Sequence, residues 1–335
     1  MCAQPSISPD LSCRVAGVRL PTPLVLASGI WGTSPSLLER AARSGAGAVT
    51  AKTCTPAPRR GHRNPTAVDW GAGLINAMGL PNPGAEEEAD LLREAARRLR
   101  PLGVPLIASI SADTAEQFAR CARLLSETGA ELIELNISCP NLEAGHGEMF
   151  AASAEAAADV TRKVKAVVDL PCIVKLSPNV NDISAVARAV VDAGADAITA
   201  INTMPGMIID AQSGRPVLAN SSGGISGPAL KPIALRCVYE IAAAVDVPII
   251  GTGGVLTGVD AVEMISAGAM AVGVGSAAFY RGEHTFQLIR DELVEWMKSR
   301  GVTGLDRIRG RARRPAGSAP VTELPPVPGW EKQHG

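Results

Sequence analysis

Asn136-Ile137-Ser138-Cys139-Pro140-Asn141 hangs a polar, reactive cluster on the end of an apolar run, Glu131-Leu132-Ile133-Glu134-Leu135. A strand that ends in Asn, Ser, Cys and Asn is presenting chemistry rather than packing. The thiol is the group of most interest, because its unperturbed pKa of about 8.5 lets it accept a proton or act as a nucleophile with a modest environmental push. A free cysteine is more often a small buried hydrophobe. At this position amide side chains flank it and Pro140 stiffens the backbone beside it, which favours the reactive role. Lys52 and Lys175 also close apolar runs, Ala48-Val49-Thr50-Ala51 and Cys172-Ile173-Val174. Solvated lysines are scarce at the ends of such runs, so both are candidates to hold an anion or a developing negative charge.

The elements that must bring these residues together follow a repeated phrase: an amphipathic helical stretch, a Gly or Pro break, then four to six apolar residues. It predicts eight strands, at 24–28, 48–52, 106–109, 131–136, 172–175, 197–202, 249–251 and 270–274. Strands alternating with helices imply parallel βαβ units, and eight of them imply a closed α/β barrel, the TIM (β/α)8 architecture. An open doubly wound sheet is the alternative. The strand ends read Ser28, Lys52, Ser109, Asn136, Lys175, Asn202, Gly253-Gly254 and Gly275-Ser276, all polar or glycine. In barrels of this type the active site is assembled at that one face.

Active-site insertions are expected after strands two, four and six. The connection after strand two runs for more than fifty residues and includes Arg59-Arg60-Gly61-His62-Arg63-Asn64-Pro65 and Leu74-Ile75-Asn76-Ala77-Met78-Gly79-Leu80-Pro81-Asn82-Pro83-Gly84. The one after strand six, with Thr203 to Met207, Asp210 to Gly214 and Leu218 to Gly227, reads as a hairpin followed by a glycine turn facing the pocket. Connections that long in a compact domain usually carry function.

A hydrophobic fraction of 46% with only 3% aromatics suits aliphatic parallel strands and argues against disorder. The net charge of −1 supplies no global field for nucleic acid or an anionic membrane. The seven cysteines are scattered with no C-x-x-C pair, and read as reduced cytosolic thiols rather than a disulfide framework or a metal site. No early segment resembles a signal peptide, and Gly or Pro breaks every apolar run before about 18 residues, so a cytoplasmic protein is expected. The barrel is expected over residues 1–311, followed at 312–335 by an Arg- and Pro-rich tail that reads as disordered.

Gly251-Thr252-Gly253-Gly254 and Gly273-Val274-Gly275-Ser276 offer bare backbone N–H groups in the two loops where barrels usually grip phosphate. The second also matches a loose dinucleotide fingerprint, with Glu292 near the acidic position, but it belongs to the last unit of a series and not to a Rossmann half. A phosphate grip without an NAD site suits a mononucleotide such as FMN.

Lys52-Thr53, Asn76-Ala77-Met78-Gly79-Leu80, the cluster at 136–141, Val174-Lys175-Leu176-Ser177-Pro178-Asn179-Val180, Asn202-Thr203 and Gly223-Gly224-Ile225-Ser226-Gly227-Pro228-Ala229 together resemble the class 1B dihydroorotate dehydrogenase catalytic subunits, over residues 14–310. Cysteine at 139 is similar to the soluble class, since the membrane-associated class uses serine. The Asn202-Thr203 loop looks like class 1B rather than the fumarate-using class 1A. The resemblance implies oxidation of dihydroorotate to orotate in pyrimidine (UMP) biosynthesis. Cys139 would take a proton from C5 while hydride passes from C6 to N5 of FMN, one per chain. Lys52 would neutralise charge between flavin and substrate, and Lys175 would stabilise charge at flavin N1 and O2. The implied substrate contacts are Lys52, Asn76, Met78, Gly79, Leu80, Asn136, Asn141, Asn202 and Thr203. The implied flavin contacts are Ser28, Lys52, Thr53, Ser109, Asn136, Lys175, Ile201, Gly227, Gly253, Gly254, Gly275 and Ser276. The same resemblance implies a homodimer bound to a second subunit that carries FAD and a 2Fe-2S cluster and reduces NAD. Ser109 departs from the asparagine usual in the family, and Arg63-Asn64-Pro65-Thr66-Ala67 lacks the usual Pro-Arg ending. Two rivals are a related flavin barrel acting on another pyrimidine or using fumarate, and a non-catalytic flavin- or partner-binding barrel. The intact Cys139 and both lysines weigh against the latter.

Overall fold

A computed structural model of the chain describes residues 9–137, 150 and 153–313. After an antiparallel hairpin of β1 (Cys13–Val15) and β2 (Val18–Leu20), the aliphatic runs become β3 (Leu24–Leu26) and β4 (Ala48–Thr50). Two short strands follow in the long connection, β5 (Ala67–Asp69) and β6 (Leu74–Asn76). The barrel series then resumes with β7 (Leu106–Ile110), β8 (Leu132–Asn136), β9 (Cys172–Leu176) and β10 (Ala197–Ala200). Four further short strands, β11 (Met204–Gly206), β12 (Ile209–Asp210), β13 (Arg215–Pro216) and β14 (Gly223–Ser226), precede the last two barrel strands, β15 (Ile249–Thr252) and β16 (Ala271–Val274). The eight long-series strands close into one barrel, β3-β4-β7-β8-β9-β10-β15-β16, each parallel to both neighbours. The expected TIM barrel is therefore the observed fold, and the open-sheet alternative is excluded by the pairing of β16 with β3.

Closure explains the composition. Every residue of β7, β8 and β9 is buried, because one face fills the barrel and the other meets the helices. The helices are α1 (Pro35–Arg43), α2 (Ala85–Leu99), α3 (Ala115–Ser126), α4 (Ala154–Lys165), α5 (Ile183–Asp192), α6 (Lys231–Ala244), α7 (Gly258–Ala267), α8 (Ala277–Arg281) and α9 (Thr285–Ser299). Their inward stripes recur at helical spacing, as in α3 with Ala115, Phe118, Cys121, Ala122 and Leu125 buried. Ser34, Thr114, Ser153, Asp182 and Thr257 accept from the first helical turn of α1, α3, α4, α5 and α7. Each such cap is worth roughly 1 kcal/mol and fixes where the helix begins after its strand.

The insertions after β4 and β10 do not stand apart. They contribute two strands each to one antiparallel sheet, β11-β14-β6-β5, with Ile75 of β6 opposite Ile225 of β14. Ile75, Ala77 and Leu218 form its small separate core. Gly223-Gly224, read from sequence as a turn, is instead the start of strand β14. The reason is steric: a Cβ on Gly223 would sit 2.5 Å from the Asn76 carbonyl oxygen, and one on Gly224 would collide with the Thr203 side chain, so the strand can lie this close only without side chains. The predicted hairpin is present as β12 and β13. The insertion expected after the fourth barrel strand, and the tail beyond Arg313, lie outside the described residues. Among the described residues no helix is long and apolar enough to cross a membrane.

Candidate active site

The C-terminal strand ends and the four-stranded sheet enclose a cavity of about 300 Å³. Ser28, Lys52, Thr53, Asn136, Lys175, Ile201, Asn202 and Thr203 reach it from the barrel, and Asn76, Met78, Leu80 and Gly227 from the insertions. Gly253, Gly254, Gly275 and Ser276, after β15 and β16, line it as well. Ala27, Ile30, Leu74, Leu230 and Val255 add apolar wall that sequence reading had not singled out. Cys139 and Asn141 lie outside the described residues.

Two expected residues are near the cavity without lining it. Gly79 is buried behind the Met78–Leu80 turn, where a Cβ would come within 2.6 Å of the His62 backbone nitrogen. Ser109 was expected to contact a cofactor as the last residue of its strand. The strand runs on to Ile110, so Ser109 faces the barrel interior one layer lower, 1% exposed, with its Oγ 2.9 Å from Thr53 Oγ1. It supports the wall rather than forming it.

The polar side chains are held in series. Lys175, 6% exposed, donates to Ser28 Oγ at 3.3 Å. Asn136 Nδ2 donates to Thr53 Oγ1 at 3.4 Å, Asn202 Nδ2 to Asn136 Oδ1 at 3.3 Å, and the Thr203 backbone N–H to Asn202 Oδ1 at 2.8 Å. Asn76 Nδ2 donates to the Gly224 carbonyl at 3.4 Å, across the sheet. After β15, Gly254 has φ +74°, and a Cβ there would lie 2.5 Å from Lys231 Cβ, so this loop packs directly on the start of α6. A left-handed backbone of this kind is one that an L side chain rarely adopts.

Three supporting residues were not recognised in the sequence. Glu134, two positions before Asn136 and therefore on the same face of β8, is a buried carboxyl inside the barrel. Its charge within an otherwise apolar strand was the available signal. Asn82, 8% exposed, accepts from the backbone N–H groups of Thr55 and Gly84 and donates to the Leu80 carbonyl at 2.8 Å, which pins the Met78–Leu80 turn to the start of α2. Glu88 on α2 is 3% exposed, and burial pushes its carboxyl up to about 7 against the pull of the Lys52 charge.

Glu88 carries a pH prediction. Its folded value is raised above the unfolded one, so its contribution favours the fold below about pH 4.5 and is lost as pH rises through about 7. At 1.36 kcal/mol per unit the loss is at most about 3 kcal/mol. Glu88→Gln is expected to melt higher than the parent at pH 8.5 and no higher at pH 4.5. Equal melting differences at the two pH values would remove this account.

The described cysteines offer no rival base. Cys13, Cys54, Cys121, Cys172 and Cys237 are all free and buried. Burial pushes Cys13 and Cys121 up to about 11 and Cys172 to about 12, and raises Cys54 and Cys237 as well. Such thiols stay protonated and inert near neutral pH.

A closed (β/α)8 barrel with lysines and amides converging at its C-terminal mouth is an enzyme architecture, and the residues at that mouth suit an oxidoreductase. The chain belongs to the dihydroorotate dehydrogenase family, whose model matches residues 10–297. It is similar to proteins named dihydroorotate dehydrogenase B (NAD(+)), catalytic subunit. The relative from Methanocaldococcus jannaschii is 43% identical over 302 residues, 90% of this chain and 98% of the relative. That from Pyrococcus abyssi is 43% identical over 302 residues, covering 90% and 99%. That from Methanothermobacter thermautotrophicus is 44% identical over 306 residues, covering 90% and 98%.

Proposed function

We propose that this chain oxidises dihydroorotate to orotate with FMN seated in the cavity, and that the electrons leave through a partner subunit carrying FAD and a 2Fe-2S cluster, where NAD is reduced. The observation that carries the reading is Lys175. The residue is 6% exposed, and among the described residues its ammonium has one hydrogen bond, to Ser28, and makes no ion pair. A buried cation in that condition calls for an anionic or electron-rich ligand. A flavin ring would meet the need, and the backbone N–H groups of Gly253, Gly254, Gly275 and Ser276, which line the same cavity, would suit its phosphate. The residues present therefore fit FMN.

When bound, FMN supplies a two-electron acceptor for hydride. The chain's own residues do the remainder. Lys175 and Lys52 hold negative charge against the ring and the substrate, in a site lined mostly by protein where such charges act strongly. Thr53, Ile201 and Gly227 line the cavity and would help hold the ring, with Ser28 steadying Lys175 and Ser109 steadying Thr53. Asn76, Asn136, Asn202 and Thr203, with the Met78–Leu80 turn, match a flat substrate rich in amides and bearing a carboxylate. By the family resemblance Asn141 adds to that set, and Cys139, three residues beyond Asn136 in sequence, takes the C5 proton, since the ordinary thiol pKa of about 8.5 makes a cysteine a workable base. Likeness to catalytic subunits over nearly the whole of both chains supports the electron-transfer partner. A homodimer of this chain in the cytoplasm is the assembly the reading implies.

The test is spectroscopic. The purified chain is expected to carry a yellow chromophore released as FMN, and dihydroorotate under anaerobic conditions is expected to bleach it. NAD reduction is expected only after a flavin and iron–sulfur partner is added. A chain that takes up no FMN, or one bleached by another dihydropyrimidine and not by dihydroorotate, would overturn the proposal.

A further inference from the structure

Beneath the cavity the barrel holds a carboxyl group that the proposed reaction leaves unused. Glu134 is 3% exposed, and each of its oxygens accepts one hydroxyl: Oε1 from Ser109 on β7 at 3.3 Å, and Oε2 from Thr199 on β10 at 2.9 Å. A hydroxyl has a single proton to give, so the Ser109 bond decides the direction of the hydroxyl bond next to it. With its proton committed to Glu134, Ser109 can only accept from Thr53, 2.9 Å away. Thr53 has then given its own proton, and accepts from Asn136 Nδ2. Asn136 Oδ1 accepts from Asn202 Nδ2, and Asn202 Oδ1 from the Thr203 backbone N–H. Every bond in the series points the same way, from the cavity wall down to one carboxyl group.

We propose that Glu134 is a positioning residue: as the acceptor at one end of this series, with the donor-only Thr203 backbone N–H holding Asn202 at the other, it keeps Thr53 an acceptor and so helps hold the amino end of Asn136 on Thr53 and its carbonyl end on Asn202. An Asn amide is nearly symmetric in shape and opposite in function at its two ends. Turned over, it offers a carbonyl where a ligand carbonyl needs a donor, and a mismatched buried polar pair is strongly disfavoured. A buried carboxyl is costly where an aliphatic side chain would fill the barrel, so packing alone does not account for it. The inference rests on the proposed function in its choice of orotate as probe, and extends it to the residue that sets specificity from below.

Orotate binding to the FMN-loaded protein, measured by titration calorimetry, tests it across Glu134→Met, Ser109→Ala, the double variant and Glu134→Gln, with melting curves to establish folding. Glu134→Met and Ser109→Ala are each expected to weaken orotate by about tenfold, the cost of one misdirected buried hydrogen bond. The double variant is expected to be no weaker than either, because both cut the same chain. Glu134→Gln retains a carbonyl that can accept from Ser109, and is expected to stay within about threefold of the parent. Folded variants that bind orotate as the parent does, or single effects that multiply in the double, would overturn the proposal. If Glu134→Met does not fold, Ser109→Ala decides alone, since unchanged affinity there breaks the chain from Glu134 to Asn136. A parent that binds FMN but no orotate would instead remove the proposed function, and this inference with it.

Discussion

Cys139→Ser is expected to load FMN normally and to be bleached by dihydroorotate at pH 7 some two to four orders of magnitude more slowly than the parent, the range that a positioned general base contributes. The sign of the pH effect is as informative as the size. A serine hydroxyl is a far weaker acid than a thiol, so the rate is expected to recover partly as the solution is made alkaline, where the parent has already levelled near the thiol pKa. The five described thiols cannot substitute, because burial keeps them protonated well above neutrality. Stopped-flow bleaching from pH 6 to 10 is the measurement. Equal rates for variant and parent at pH 7 would take the base role from Cys139.

Lys175→Met is the second large effect. Methionine keeps the length and removes the charge from a position 6% exposed in the barrel interior. The loss of one preorganised charged donor is expected to slow bleaching by about 10²- to 10³-fold. Because the cation favours the reduced, more negative ring, the flavin midpoint potential is also expected to fall by about 60–90 mV, at 30 mV per 1.4 kcal/mol for a two-electron couple. The two readouts separate electrostatics from simple disorder of the pocket, which would release FMN without shifting the potential of what remains bound. A retained flavin with an unchanged potential would show that Lys175 acts some other way.

The barrel was legible because its strands carry one signal only. Leu132 to Asn136 and Cys172 to Leu176 are buried on both faces, so they read as unbroken aliphatic runs between Gly and Pro breaks. Lys52, Asn136, Lys175 and Asn202 were legible for the same reason, as polar residues where such a run stops. Ser109 was misjudged by one residue: Ile110 carries the strand further, and a serine inside a layer looks in sequence like a serine at its edge. The sheet formed by both insertions had no local signal, since Leu74–Asn76 and Gly223–Ser226 find each other across most of the barrel and Gly223-Gly224 has turn-like composition. Glu134 was hidden by its own strand, which was read as a block of apolar residues rather than by alternate faces.

The pairing of Leu74–Asn76 with Gly223–Ser226 constrains how this pocket can be altered. Strand faces alternate, so a slip of one residue between β6 and β14 would exchange the inward and outward sides of both, and Asn76 would turn from the cavity toward the small core of Ile75 and Leu218. Neither segment can therefore lose or gain a single residue without the other being reset. Lengthening either one safely means adding residues in the β12–β13 hairpin or near Trp70 to Gly73, where the chain reverses, so that selectivity can be retuned at the tips while the seam stays as it is.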